Sequence, residues 1–82
     1  MTSKSLAVEL KNWRTAERLT LLQAQERTNI HRNTLQRYEH REGGIPKAEN
    51  IIRLAKVLKM DLETVLRLAM YDKELNTKKK DQ

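Results

Sequence analysis

Arg32, Asn33, Gln36 and Arg37 stand close together in the stretch N-I-H-R-N-T-L-Q-R-Y-E, residues 29–39. Read as a short helix, that stretch can turn inward only Leu35 and Tyr38, with Ile30 just ahead, and must show those four side chains on its other face. Guanidinium and carboxamide heads make paired, directional hydrogen bonds to flat partners that offer neighbouring donors and acceptors. Ordinary surface helices mix both signs of charge, whereas no acid interrupts this set. The array suits recognition better than catalysis. The chain shows no nucleophile–base pair, no paired carboxylates in a plausible cleft and no phosphate-binding loop, so an enzyme is not expected.

The rest of the composition narrows the partner. At 82 residues the chain makes one domain at most, too small to enclose much of a pocket. Net charge is +6. Residues 1–41 carry eight Lys/Arg against four acids, and residues 42–82 carry nine against seven. A basic folded protein favours a polyanion, and nucleic acid is the usual one. There is no cysteine, so no disulfide framework and no Cys-type zinc site, which suits a reducing compartment. His31 and His40 lack the spacing of a helical metal pair, so neither a metal nor a cofactor is expected. No apolar run approaches the ~18 to 20 residues that cross a bilayer, and the N-terminus lacks the apolar core of a signal peptide. A soluble, cytoplasmic protein is the expectation.

Apolar residues recur at spacings of three and four, not two, and the chain has two glycines, one proline and no phenylalanine. That pattern predicts an all-α fold of five helices. The first covers about Ser5 to Glu17, with Leu6, Leu10 and Trp13 facing inward and Ser3 or Ser5 as cap. The second covers Leu21 to Thr28, capped by Thr20 and ended by Asn29 in a left-handed turn. The third is Arg32 to His40. After a loop closed by Pro46, a fourth helix from Ala48 to Leu58 buries Ile51, Ile52, Ala55 and Leu58. Asp61 caps a fifth, which turns Leu62, Val65, Leu66 and Ala69 inward and runs to about Leu75. The domain is thus residues 1–75, and 76–82 read as a disordered basic tail.

Two short helices separated by the turn Asn29-Ile30-His31 have helix-turn-helix spacing. Residues 19–39, L-T-L-L-Q-A-Q-E-R-T-N-I-H-R-N-T-L-Q-R-Y-E, resemble the Cro and repressor-type (Xre-like) DNA-binding domain of phages and bacteria. The resemblance extends over about Leu6 to Leu66. It includes Arg14, Leu19-Thr20, Leu35, Arg37-Tyr38-Glu39 and I-I-R-L-A-K-V-L-K-M-D-L-E-T-V-L, residues 51–66. Arg18, Asn29 and Lys59 stand where that family usually has glycine. Leu21 replaces a common phosphate-binding Gln, and Gln25 replaces a small residue where helices two and three touch.

The resemblance implies a compact five-helix, lambda-repressor-like domain whose third helix lies in the major groove of double-stranded DNA. Arg is suited to guanine O6 and N7, and Asn or Gln to adenine N6 and N7. Arg32, Asn33 and Arg37 are then the leading base readers, followed by Gln36 and His31. Thr34, Arg41, Lys47 and Lys11 become candidate phosphate contacts. Arg14 and Glu39 are expected to form a structural ion pair between helices one and three. The function implied is a sequence-specific transcriptional regulator, a repressor occupying an operator. The competing reading is a protein-interaction module, an antitoxin or adaptor whose basic face binds an acidic protein, and a regulatory protein partner is compatible with either. One such domain reads few base pairs, so a weak homodimer on palindromic half-sites is expected. Leu68, Tyr71 and Leu75, with Thr64, form a second stripe on the fifth helix that would meet its symmetry mate. The alternative is that this stripe folds back on helix one.

Overall fold

The computed structural model describes residues 5–42 and 44–80, with side chains through Leu75. Five helices follow in order: α1 (Leu6–Ala16), α2 (Leu21–Thr28), α3 (Arg32–Glu39), α4 (Ala48–Leu58) and α5 (Leu62–Lys80). The fold is all-α, as predicted, with no strand among the described residues. None of these helices is long and apolar enough to cross a membrane.

Local chemistry sets most boundaries. Ser5 caps α1, its hydroxyl accepting from Val8 N. Thr20 and Gln23 form a reciprocal capping box at the start of α2: Thr20 Oγ1 accepts from Gln23 N at 3.2 Å and Gln23 Oε1 from Thr20 N at 2.9 Å. Asp61 Oδ1 accepts from Thr64 N at 2.9 Å at the start of α5. The Thr64 hydroxyl and N–H hold the Asp61 carboxyl below its ordinary pKa.

Four non-glycine residues adopt left-handed backbone: Arg18 (φ 57°), Asn29 (φ 60°), Arg41 (φ 59°) and Lys59 (φ 58°). Asn29 closes α2 as predicted, and Arg18 and Lys59 occupy two of the positions where the resemblance implies glycine. A Cβ is strained there, by about 1 to 2 kcal/mol, while glycine loses more freedom on folding. Arg18→Gly and Lys59→Gly should therefore each raise the unfolding free energy by about 0.5 to 1 kcal/mol. A urea midpoint that falls in both variants counts against the strain.

The core gathers one face from every helix. Leu10, Leu35, Leu54 and Val65 are its largest fully buried side chains, with Leu6, Ile30 and Tyr38 beside them and Trp13 packed at the edge. Two helices sit rotated from their predicted phase. On α4 the buried set is Ile51, Leu54 and Ala55, while Ile52, expected inside, is 47% exposed. On α5 the inward set is Val65, Leu68, Ala69 and Asp72. Leu62 and Leu66, expected inside, are 51% and 40% exposed.

Leu68, assigned to a dimer surface, is 8% exposed and belongs to the core. The fifth helix is apolar on most of its circumference, so periodicity left its phase open, and Asp72 settles it. Its carboxylate is buried against the start of α1, where it accepts from Ser5 Oγ at 2.5 Å and Ala7 N at 2.8 Å. That anchor turns Leu68, one turn earlier, toward the interior. Tyr71 remains half exposed and Leu75 is partly covered.

The helix also extends past the predicted end. Residues 76–80, read from the sequence as the start of a disordered tail, continue α5 to Lys80. Nothing in the sequence Asn76-Thr77-Lys78-Lys79-Lys80 breaks a helix. Residues 81–82 lie outside the described part.

Candidate nucleic-acid interface

The α2–turn–α3 unit is held by backbone and small polar groups. Thr28, buried at the end of α2, donates to Ala24 O at 2.8 Å and accepts from Ile30 N at 3.1 Å, which leads the chain into the turn. Ile30 is buried beneath it. At the start of α3, His31 is the N-cap, its Nδ1 accepting from Asn33 N at 3.1 Å. Gln25 reaches across from α2, its Oε1 accepting from Arg32 N at 2.9 Å. A Ser or Thr in place of His31 would have been the obvious cap signal, and the Gln25 bridge spans seven residues, so the sequence reading missed both.

Leu35 and Tyr38 seat the inner face of α3 in the core. Asn50 Nδ2 donates to the Tyr38 hydroxyl at 2.9 Å, and Arg53 Nη1 donates to Asn50 Oδ1 at 3.2 Å, which links α3 to α4. Arg14 and Glu39 join α1 to α3 by two parallel bonds, Nε to Oε2 at 2.7 Å and Nη2 to Oε1 at 3.0 Å. A third Arg14 donor, Nη1, reaches Leu19 O at 3.1 Å. The hydrogen bonds and charge of Glu39 raise the Arg14 pKa above its ordinary value, against the opposing effect of burial. The α3 C-terminus closes through Arg41, left-handed, with Glu42 N donating to Arg37 O at 2.8 Å.

On the outer face, Arg32, Asn33, Gln36 and Arg37 are all exposed. None of their side chains makes a hydrogen bond or ion pair within the described residues. Arg37 borders two open grooves. One is shared with His31, Thr34, Lys47 and Arg53, the other with Asn33, Gln36, His40 and Glu42. The fold thus brings Lys47 and Thr34 to the edge of the predicted reading face. It also brings Arg53, which sequence reasoning passed over because it sat inside an ordinary amphipathic helix. Glu42 borders both grooves and Glu49 the first, so the rim carries acids that the set Arg32, Asn33, Gln36 and Arg37 lacks.

Two predicted phosphate contacts stand apart. Lys11 is exposed on α1 and lines neither groove. Arg41 is paired elsewhere, its Nε donating to Asp72 Oδ1 at 3.2 Å.

An exposed, acid-free set of guanidinium and amide groups on a rigidly seated helix can make bidentate contacts to base edges, and its flanking cations can position a phosphate backbone. No curated protein matches the chain. A family model described as helix-turn-helix matches residues 10–65, more than half of it and all of α2, α3 and α4. With the seat of α3 and its outward side chains in view, the chain belongs to the helix-turn-helix family of Cro- and Xre-like DNA-binding regulators.

Proposed function

We propose that this protein is a sequence-specific repressor that reads the major groove of double-stranded DNA with α3. The observation that carries the proposal is the outer face of α3. Four side chains able to read bases stand exposed and unengaged, while the inner face and both ends of the helix are tied down. A generic acidic protein partner would need the positive charge but not the amides. In this reading Arg32, Asn33, Gln36 and Arg37 touch base edges and His31 lies at the same groove. Lys47 and Thr34 meet phosphates, with Arg53 added to them. Occupying an operator would block polymerase directly, with no cofactor.

Specificity from one domain is limited, and a second copy on an adjacent half-site extends it. With Leu68 in the core, the surface left for that contact is the outward side of α5, where Leu66, Met70 and Tyr71 are 40%, 49% and 40% exposed. Glu63 and Arg67, paired along the same helix, allow an antiparallel two-fold crossing to set each acid near the basic residue of its mate.

Selection of bound sites from random duplex DNA tests the whole reading. We expect one enriched sequence with two-fold symmetry and half-sites about one helical turn apart. Its affinity should fall steeply between low and moderate salt as condensed counterions are released. No enrichment, or equal competition by scrambled duplex, overturns the DNA reading. An enriched single half-site overturns the dimer alone.

A further inference from the structure

Gln25 and His31 are fastened by their acceptor atoms to adjacent peptide N–H groups in the first turn of α3, those of Arg32 and Asn33. These are groups that an open helix N-terminus would turn toward an anion, and here both are occupied. Each bond also determines which atom is left over. A carboxamide whose oxygen accepts presents its NH2, and an imidazole whose Nδ1 accepts presents Nε2–H.

The Gln25 NH2 has no partner among the described residues, and no buried side-chain polar atom there lacks one, so this NH2 opens to solvent. His31 is exposed. Two outward donors therefore stand side by side at the entrance of the reading helix, held in place by bonds that their own other ends make.

We propose that Gln25 contacts DNA, acting with His31 as a clasp for one backbone phosphate beside the α3 reading face. The inference rests on the placement of α3 in the major groove. In that docking geometry the helix preceding the recognition helix lies across the sugar–phosphate backbone. A phosphodiester offers two non-bridging oxygens, both acceptors, which matches two neutral donors anchored one residue apart. Arg32 follows immediately in the chain, so the clasp would fix the depth at which it meets a base edge. His31 is thereby moved from reading bases to gripping the backbone. Gln25 gains a role that a small residue at this position could not perform.

The substitution Gln25→Glu separates capping from clasping. It keeps an acceptor for Arg32 N, and a carboxylate suits a helix N-terminus, so the fold is retained. It also removes the NH2 donor of residue 25, leaves that of His31, and sets an anion against the phosphate. Binding to a duplex of mixed sequence and about two helical turns should weaken about tenfold or more. Asn12→Asp, on the exposed side of α1, makes the same change in net charge and should cost no more than about twofold.

The Gln25 side-chain amide signals of the wild-type protein should also shift when duplex is added, which reads the contact without any variant. Binding of Gln25→Glu within about twofold of wild type overturns the clasp, as does an equal loss in Asn12→Asp or an amide signal that stays in place. A wild-type chain that ignores duplex DNA altogether overturns the groove reading, and the clasp with it.

Discussion

Glu39→Ala should lower the unfolding free energy by about 2 to 3 kcal/mol, one of the largest losses available to a single change outside the apolar core. The carboxylate is only 8% exposed and accepts two parallel bonds from Arg14, whose side chain is 22% exposed. Removing the acid leaves a guanidinium largely enclosed without a counter-charge, and loosens the grip on Leu19 O as well. Full burial would put the cost at about 3 to 5 kcal/mol, and residual access of water to Arg14 reduces it. In a domain of this size the loss corresponds to a drop in melting temperature of about 10 to 20 °C. Removing both partners with Arg14→Met and Glu39→Leu should cost less than Glu39→Ala alone, because no charge is stranded. Thermal unfolding of wild type, Glu39→Ala and the double variant decides the matter. If Glu39→Ala melts within a few degrees of wild type, the pair is ornamental.

Arg37→Ala should leave stability unchanged and cost about 1 to 3 kcal/mol of affinity on the selected site, up to roughly a hundredfold. The reason is geometric. Arg37 borders both grooves, is exposed, and has no side-chain partner among the described residues, so its truncation removes the proposed contact to DNA and nothing inside the protein. The loss should be confined to sites carrying the preferred base at one position, where the preference relaxes. Lys47→Ala should behave differently, weakening selected and scrambled duplexes alike and lowering the salt slope by about one. Titrations of both variants against both duplexes at two salt concentrations separate the roles. An Arg37→Ala protein that loses affinity equally on every duplex would make the residue a phosphate contact, and the assignment of the reading face would have to be redrawn.

What the sequence disclosed followed the range of the forces involved. The Thr20 cap of α2, the left-handed Asn29 and the start of α5 at Asp61 are decided by side chains within three residues of the backbone groups they serve, and each was legible, while the return bond from Gln23 that completes the capping box was not read. The boundaries of α2 and α3 came from the same local signals. The rotation of α5 was not legible, because leucine, methionine or tyrosine occupies nearly every side of it. What decides the phase is Asp72, whose partners Ser5 and Ala7 lie 67 and 65 residues away in the chain. Read locally, Asp72 is one more acid in a charged helix. The same limit hid the pairing of Arg41 with Asp72 and the reach of Gln25 to α3. The left-handed Arg18 and Lys59 stood out through the family resemblance, since composition alone gives no reason to seek glycine-like backbone at a basic residue.

The outer side chains of α3 owe nothing to the fold, and this bears on how such a protein changes over time. Substitutions at residues 32, 33, 36 and 37 break no side-chain bond among the described residues, so they carry little penalty in folding. Selection can then act on the choice of target almost independently of selection on persistence in the cell. If α3 reads DNA as proposed, a lineage built on this scaffold can exchange one operator for another in a few steps without passing through unfolded intermediates. The same freedom makes the four positions a natural site for randomised libraries, in which nearly every member is folded and, on the proposed reading, differs from its neighbours only in the address it selects.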